Sequence, residues 1–428
     1  HMAMSLCSIC NLLTACGGEG LYFVEAFLSR PDIRAYQSLL RERMPVNAVN
    51  VRRISARPEL KVRTARPMTY RITTTGGNET EPAVNLLANS GCTLLATSAG
   101  VTSLFSRRAA AYHSGRTLVP NSTGIAVLFQ SENEVMSAAA LPQGTDARYR
   151  SEFTEDFCRF SAESSRLHIT QWVGISENDQ AEIREVTVRN VSDGTVNGHL
   201  ILFLEPLCGS ETEYASHPAF YQMFLTTEPV RNGAAATRRD RSGKTEQAVA
   251  MVCDRDGAVF TTDGDAALAG NDPRIADSYC GDLGSAAFGE MRAPVIRAAI
   301  PVELKSCAAF SVRFAVALGE NAAAAAAVCE NALKAARRTG DLYMKTAERL
   351  AFTAREAAAA LSLLTPLLLG GERQGPKPAI QTAKGELWRL GISGDLPIVL
   401  SECFSEEQNA RASEIFRAVR QHKLLASC

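Results

Sequence analysis

The sequence predicts a β plus α protein in which a large antiparallel β-sandwich is flanked by helical segments. Three observations predict this class. Short runs of β-branched and aromatic residues recur between residues 51 and 318, separated by Gly, Asn, Asp, Ser and Pro. No helical pattern separates those runs, which favours antiparallel pairing. Helical periodicity is found before residue 50 and after residue 319 instead.

The predicted strands lie in runs such as CTLLATSAG, GIAVLFQS, RLHITQWVGI, VIRAAIPVEL and AAFSVRFAVAL. The segment VTVRNVSDGTVNGHLILFL predicts a β-hairpin, because a loop rich in Asn, Asp and Gly separates its two apolar halves. The strand region is far longer than an immunoglobulin domain of about 100 residues, so a large sandwich is expected.

Helical segments are predicted on both sides of the sandwich. Residues 1–50 have helical spacing, and Pro45 ends the pattern. Residues 319–370 predict a helical linker, because ENAAAAAAVCENALKAARRTG combines Ala-rich propensity with basic residues in its last turns. Helix propensity alone explains its Ala run. Residues 371–428 have room for only one or two helices of a further domain, so we expect the chain to be a piece of a larger protein.

Composition excludes two classes of partner. The formal net charge is −1, with 21% charged and 46% hydrophobic residues, so no basic surface for nucleic acid is expected. No apolar run of about 18 residues is present that would span a membrane. Twelve cysteines without regular spacing favour free thiols in a reducing cytoplasm, and the lone Cys7-x-x-Cys10 pair lacks the second pair that a zinc site needs.

Three stretches carry a resemblance to a known family. They are LLANSGCTLLATSAGVTSLFSRRAAAY, LEPLCGSETEYASHPAFYQMFLTTE and LWRLGISGDLPIVL. In this order they resemble the anchor motifs of the cellobiose-phosphorylase-like family, formerly glycosyltransferase family thirty-six. The second motif has a Glu at a strand end, a short loop with His-Pro-Ala-Phe, and a strand. The resemblance covers residues 84–428 and implies a supersandwich at 51–318, the linker at 319–370 and the truncated start of an (α/α)6 barrel at 371–428.

Residues 1–50 carry a narrower resemblance. His1 and Met4-Ser5-Leu6 match a HHQGMSL motif, and LLRERMP resembles LLQERVP. Both motifs occur before this module in cyclic β-1,2-glucan synthases and 1,2-β-oligoglucan phosphorylases. The resemblance therefore implies that residues 1–50 end a preceding domain of a larger, membrane-associated synthase.

The family resemblance implies inverting transfer of a glucosyl unit between a β-glucan, with β-1,2 linkages expected, and inorganic phosphate as co-substrate. The glycan partner is a β-glucan oligosaccharide or glucose 1-phosphate, and no cofactor or metal is implied. The general-acid Asp of the family lies downstream of the barrel motif, so no catalytic residue is assigned and this chain alone is expected to be inactive. A homodimer is compatible with the family.

Two residues are implied to bind substrate. Arg389 and Asp395 stand where the family's WR…SGD motif holds the hydroxyls of the glucosyl unit. A guanidinium supplies a fork of donors and a carboxylate accepts from adjacent hydroxyls. On the residues alone, an ion pair between Arg389 and Asp395 is the simpler interpretation.

Other chemically suggestive residues favour structural roles. His217 is expected to anchor a sandwich loop, Glu205 to lie buried and hydrogen-bonded at a strand end, and Thr237–Arg241 to form a solvated hairpin tip rather than a phosphate or glycan site. Trp388 suits helix packing as well as sugar stacking. The remaining histidines have no metal-ligand spacing; they are His113, His168, His199 and His422.

Two alternative functions stay open. The chain could be a non-catalytic carbohydrate-binding or dimerisation module. It could instead be a hydrolase with its own carboxylate pair, although neither motif nor spacing marks such a pair.

Overall fold

The computed structural model describes residues 71–334, with gaps at 76–81, 90, 107–108, 114–123, 133, 155, 178, 271 and 273, together with residue 405. The predictions for residues 1–50, for most of the linker and for the barrel start lie outside the described residues. So do Trp388, Arg389, Asp395 and His422.

Nineteen strands in the described part form three antiparallel sheets. The first sheet has nine strands, in the spatial order β1 Arg71–Thr75, β8 Arg148–Thr154, β9 Cys158–Glu163, β10 Leu167–Ile175, β11 Ala181–Asn190, β19 Ala309–Gly319, β16 Thr245–Cys253, β15 Gly233–Arg239 and β14 Leu225–Val230. The second sheet has the order β17 Val259–Asp263, β18 Pro294–Leu304, β12 Val196–Leu204, β6 Ala126–Ser131 and β7 Val135–Ser137. The third has the order β13 Pro206–Gly209, β5 Ala110–Tyr112, β4 Thr102–Phe105, β3 Thr93–Thr97 and β2 Val84–Ala88.

Helices are short in this part of the chain, except the last. They are α1 Glu211–Ser216, α2 Pro218–Gln222, α3 Gly264–Ala267, a 3₁₀ helix Ala276–Tyr279 and α4 Ala322–Lys334.

One continuous core lies between the nine-stranded sheet and the two five-stranded sheets, because buried side chains of all three sheets form a single cluster. In β10, Leu167, Ile169 and Val173 are buried in this cluster, whereas His168 and Thr170 between them are half-buried. This alternation places one face of the strand in the core and the other towards the surface. The predicted large antiparallel sandwich is therefore confirmed.

The predicted hairpin around residues 186–204 is wrong. Strand β11 pairs with β10 and β19 in the nine-stranded sheet, whereas β12 pairs with β18 and β6 in a five-stranded sheet. The short loop between them crosses from one layer to the other, as do the loops from β16 to β17 and from β18 to β19. Apolar alternation is satisfied equally by strands that pair side by side and by strands that face each other across the core, so the pattern cannot distinguish them.

Asn190 stabilises the crossing between β11 and β12. Its side-chain amide donates to the carbonyl oxygens of Gly194 at 2.6 Å and Leu304 at 3.0 Å, and its Oδ1 accepts from Ser192 N at 2.9 Å. Because Leu304 ends β18, one buried amide ties this crossing to the crossing from β18 to β19.

The Ala-rich run forms α4, which packs on the outer face of the nine-stranded sheet. Its buried residues Ala325 and Cys329 contact a sheet face made largely of alanines, which include Ala250, Ala315 and Ala317. Small side chains on both surfaces bring the helix backbone close to the sheet. A Cβ atom at Gly319 would lie 2.5 Å from Ala325 N. The Ala run thus serves close packing, so the interpretation by helix propensity alone was incomplete.

Candidate functional site

His217 of the His-Pro-Ala-Phe motif lies between two short helices, and the following Pro-Ala-Phe begins the second helix, where a loop was expected. Ser210 precedes α1 and accepts a hydrogen bond at its Oγ from Glu213 N at 3.5 Å. Pro218 is the first residue of α2, a position where its missing N–H costs nothing. His217 links the helices with φ −152° and ψ 74°. The capping serine and the helix-starting proline around ETEYASHPAF therefore produce two short helices where the motif predicted a loop.

Helices α1 and α2 and the hairpin of β15 and β16 form a groove with a cavity volume of about 400 Å³. We call it the HPAF groove. Its aromatic lining comes from α2 and the residues after it, and its charged lining comes mostly from the hairpin. The lining residues are Glu213, Ser216, His217, Phe220, Tyr221, Phe224, Arg238, Arg239, Asp240, Arg241 and Glu246.

Arg238 is the best-fixed charged group of the groove. Its Nη1 lies 2.8 Å from Glu246 Oε2, and its Nη2 lies 3.0 Å from Glu213 Oε2. The guanidinium also covers the ring of Tyr221, at 4.3 Å from the ring centroid. Two carboxylates and one aromatic face thus hold this cation in one orientation.

Tyr221 supports the floor of the groove. Its hydroxyl donates to the carbonyl oxygen of Leu207 at 3.0 Å, and its ring packs edge-on against Tyr214 at 5.7 Å. Burial raises the pKa of Tyr221 well above its usual range. The hydroxyl therefore stays protonated, and Tyr221 remains a donor at neutral pH.

Asp240 and Arg241 lie at the tip of the β15–β16 hairpin, as expected, whereas Thr237 to Arg239 belong to strand β15 and Thr237 is buried. The tip also lines the groove. Asp240 closes the turn, because its Oδ1 accepts from the backbone N–H groups of Ser242 at 2.8 Å and Lys244 at 2.9 Å. Hydrogen bonds, first from the Ser242 side chain and then from Lys244 N, lower the pKa of Asp240. Arg239 pairs with Glu290 at 3.3 Å.

Arg241 and two phenylalanines form the outer part of the groove. The Arg241 guanidinium lies 5.5 Å from the Phe220 ring centroid, and the Phe220 and Phe224 rings meet edge-on at 5.1 Å. Phe220 is nevertheless 48% exposed. A large apolar ring held in place at the surface is a typical feature of a contact site for a ligand or partner.

A second cluster of ionisable groups lies beside α1. His113 Nδ1 lies 2.8 Å from Glu211 Oε2, and the His113 ring packs on Tyr214 at 4.6 Å. Burial lowers the pKa of His113, but its hydrogen bond to Glu211 and the charges of Glu211 and Glu205 outweigh burial and raise it. Burial raises the pKa of Tyr214 to about 12, with contributions from Glu205 and Glu211.

Glu205 lies directly after β12, as a strand-end residue. Its backbone carbonyl accepts from His113 N at 2.8 Å, and its side chain is half-buried rather than buried. Burial raises its pKa, the His113 charge opposes the rise, and Glu211 adds to it. The predicted position of Glu205 at a strand end is thus confirmed, whereas its predicted full burial is wrong.

Within residues 71–334 the structure brings together two motifs that the sequence marked separately, the His-Pro-Ala-Phe segment and Thr237–Arg241. His217 is exposed at the groove rather than anchoring a loop. The sequence patterns did not single out Phe224 within its motif and did not mark Glu246 at all, although both line the groove. After α2 the chain continues through β14, which pairs with β15, and β15 pairs with β16. A prediction of these strand pairings would have placed both residues beside α2.

The described residues contain neither a metal-binding cluster nor a membrane-spanning helix. This part of the chain contains no group of three or more His, Cys, Asp or Glu side chains that could hold a metal ion. None of its helices has the length and apolar character needed to cross a bilayer. The cysteines of the described residues are all free of disulfide bonds. Burial raises the pKa of Cys92, Cys158 and Cys208 to about 12.

The architecture defines the class of this protein as a supersandwich, in which three antiparallel sheets share one core. The family described as “Glycosyl hydrolase 94, supersandwich domain” matches residues 68–335, and the chain belongs to this family. Comparison with curated proteins gives no match.

Solved structures with a similar fold include three carbohydrate-related proteins. “Putative kojibiose phosphorylase from human microbiome” is 8% identical with a TM-score of 0.39, over 70% of this chain and 41% of that chain. A bacterial glucoamylase complexed with acarbose is 11% identical with a TM-score of 0.39, over 70% and 44%. A galactose mutarotase related enzyme from Lactobacillus acidophilus is 8% identical with a TM-score of 0.32, over 55% and 97%. The chain thus spans less than half of the first two.

Proposed function

We propose that the chain is the supersandwich, linker and first barrel segment of an inverting glycoside phosphorylase. The whole enzyme transfers a glucosyl unit between a β-glucan and inorganic phosphate, without a cofactor or metal. Membership of the glycosyl hydrolase 94 supersandwich family over residues 68–335 is the observation that carries this proposal. The finer assignment to β-1,2-linked glucans rests on the resemblance of residues 1–50 to cyclic β-1,2-glucan synthases. The cytoplasmic location rests on the interpretation of the twelve cysteines as free thiols.

The proposed reaction assigns separate tasks to the phosphate and the protein. A phosphate oxygen attacks the anomeric carbon, the glycosidic C–O bond breaks on the opposite face, and a carboxylic acid gives its proton to the leaving oxygen. Arg389 and Asp395 hold the glucosyl hydroxyls during this exchange. By the family resemblance the acid belongs to the barrel downstream of Asp395, so no residue of this chain is assigned to it.

Release of glucose 1-phosphate tests this function. The substrates are β-1,2-linked glucooligosaccharides and inorganic phosphate. We expect no release by the 428-residue chain and release by a longer protein in which the barrel is complete. In that longer protein Asp395→Asn should lower kcat/KM by at least about 100-fold, because a charged hydrogen bond to substrate is lost.

The matched control is Asp265→Asn, because Asp265 is an exposed carboxylate paired with Arg292 on the sandwich. This variant should keep full activity. Release of free glucose at the same rate with and without phosphate would contradict the proposal and favour a hydrolase. Release of glucose 1-phosphate by the 428-residue chain alone would contradict the placement of the acid.

A further inference from the structure

We infer that the HPAF groove on the sandwich is a binding site for a neutral oligosaccharide. The expected ligand is a short run of β-linked glucose units, a class that rests on the proposed function. The described residues alone form the groove.

The groove is formed in advance of any ligand. Its volume of about 400 Å³ falls in the range of small-molecule sites. Two carboxylates fix Arg238, a hydrogen bond to Leu207 fixes Tyr221, and the closed turn at Asp240 fixes the hairpin tip. A preformed lining lowers the entropy that a ligand loses on binding.

The exposed aromatic surface suits one face of a sugar ring. Phe220 is 48% exposed, while Phe224 and Arg241 hold its ring. An aromatic face carries partial negative charge and attracts the polarised C–H groups that a pyranose presents on one side. The other atoms of a pyranose are hydroxyls, which need donors and acceptors close to that ring.

The charges of the lining favour a neutral ligand. Three arginines and three carboxylates line the groove, so their formal charges cancel. The Arg238 pairs with Glu213 and Glu246 place donors and acceptors side by side, an arrangement that suits adjacent hydroxyls. Phosphate would be attracted by the arginines and repelled by the carboxylates.

The same features argue against a protein partner at this place. The centre of a protein interface is depleted in Asp and Glu, although arginine is enriched there. Around Phe220, by contrast, lie Arg241, the Arg238–Glu213 pair and Asp240. Burying these groups under a protein would desolvate several charges at once, whereas a sugar exchanges their water for hydroxyl groups.

Binding of a β-1,2-linked glucopentaose to the 428-residue chain, measured by isothermal titration calorimetry, tests the inference. We expect Phe220→Ala and Arg241→Ala each to weaken binding by at least about tenfold. The first substitution removes the aromatic ring that contacts the sugar, and the second removes the guanidinium that holds this ring. Met223→Ala and Arg292→Ala are the matched controls and should leave Kd unchanged. Met223 is 77% exposed just after α2 but does not line the groove, and Arg292 is an exposed arginine elsewhere on the sandwich.

Three outcomes would overturn the inference. They are no measurable binding of the pentaose by the unaltered chain, equal binding by the groove variants and the controls, or tighter binding of inorganic phosphate than of the pentaose. Unfolding midpoints of the variants should match the unaltered chain, because Phe220 and Arg241 are exposed.

The Asp395→Asn variant separates this inference from the proposed function. Binding that survives Asp395→Asn but is weakened by Phe220→Ala supports the groove. Binding that is lost in Asp395→Asn and unchanged in Phe220→Ala overturns the groove and leaves the proposed function intact, since that function is tested by glucose 1-phosphate release.

Discussion

Single residues join the two layers of the sandwich through a buried polar network. Arg184 Nε donates to Glu182 Oε1 at 2.6 Å, and its two terminal nitrogens donate to Gln171 at 3.2 Å and Thr102 at 2.5 Å. Tyr112 donates to the other Glu182 oxygen at 2.6 Å. Glu182 and Arg184 are fully buried on β11, while Thr102 and Tyr112 belong to the third sheet. Each charge is compensated, so the pair specifies how these sheets face each other.

Removing one charge of this pair should be severely destabilising. Glu182→Gln leaves the Arg184 cation buried without its counter-charge, which costs about 3–5 kcal/mol of unfolding free energy. Urea denaturation followed by circular dichroism measures it. Asp265→Asn, which breaks an exposed pair, is the control and should leave the midpoint unchanged. Equal midpoints for the two variants would contradict the role of the network.

The His113–Glu211 pair predicts a pH dependence of stability. The pKa of His113 is raised in the folded state, so its contribution is fully present below the ordinary histidine pKa of about 6.5. That contribution is lost as pH rises through the raised folded pKa. We therefore expect His113→Gln to destabilise the protein by about 1.5–3 kcal/mol near pH 5.5, and by less at pH 8.5.

Urea denaturation of both proteins between pH 5.5 and 8.5 measures this difference. A difference that grows with pH would contradict the assignment of a raised His113 pKa. His168→Gln is a control, because His168 also faces a carboxylate, Glu163, but at 3.7 Å on the exposed side of β10.

At the scale of elements, the strand and helix positions follow from local patterns, but their partners do not. The crossings after β11, β16 and β18 join strands that are adjacent in sequence and lie in different sheets. Each of these crossings contains turn-forming residues that also occur in hairpins. The pairing of β11 with β19 joins residues more than a hundred positions apart, and only the whole fold supplies that partner.

The packing of helix α4 leads us to expect very different effects on stability from the same Ala→Leu substitution at two positions. Ala325 faces the small-residue surface of the sheet and is fully buried, whereas Ala327, two residues further along, is exposed on the other side of the helix. We expect Ala325→Leu to cost about 1–3 kcal/mol by overpacking. Ala327→Leu should change stability by less than about 0.5 kcal/mol. Thermal or urea unfolding measures both, and similar effects would contradict the packing of α4 on the sheet.

At the scale of the whole molecule, one core unites the three sheets, and α4 covers part of the outer face of the largest sheet. Both belong to the region that matches the supersandwich family, residues 68–335. This region contains the HPAF groove and the Glu182–Arg184 network. It is therefore the natural unit for testing stability.

A protein comprising residues 68–335 should fold as a soluble, cooperative unit. Its strands pair among themselves and α4 covers the alanine face. A shorter protein that ends at residue 320 should aggregate or unfold more easily, because that apolar face becomes exposed. Size-exclusion chromatography with light scattering and urea denaturation compare the two. Equal behaviour would contradict a stabilising role for α4.

The sequence by itself determined the class of this protein. Alternating apolar residues and turn residues predicted a large antiparallel sandwich, since each strand must bury one face whichever partner it has. Alanine content predicted α4, and the motifs Leu204–Glu228 and Thr237–Arg241 were both marked in advance. Only the tertiary structure decided which strands pair, which loops cross between layers, and that these two motifs form one groove. Those outcomes depend on contacts between residues far apart in the chain, and local periodicity carries no information about them.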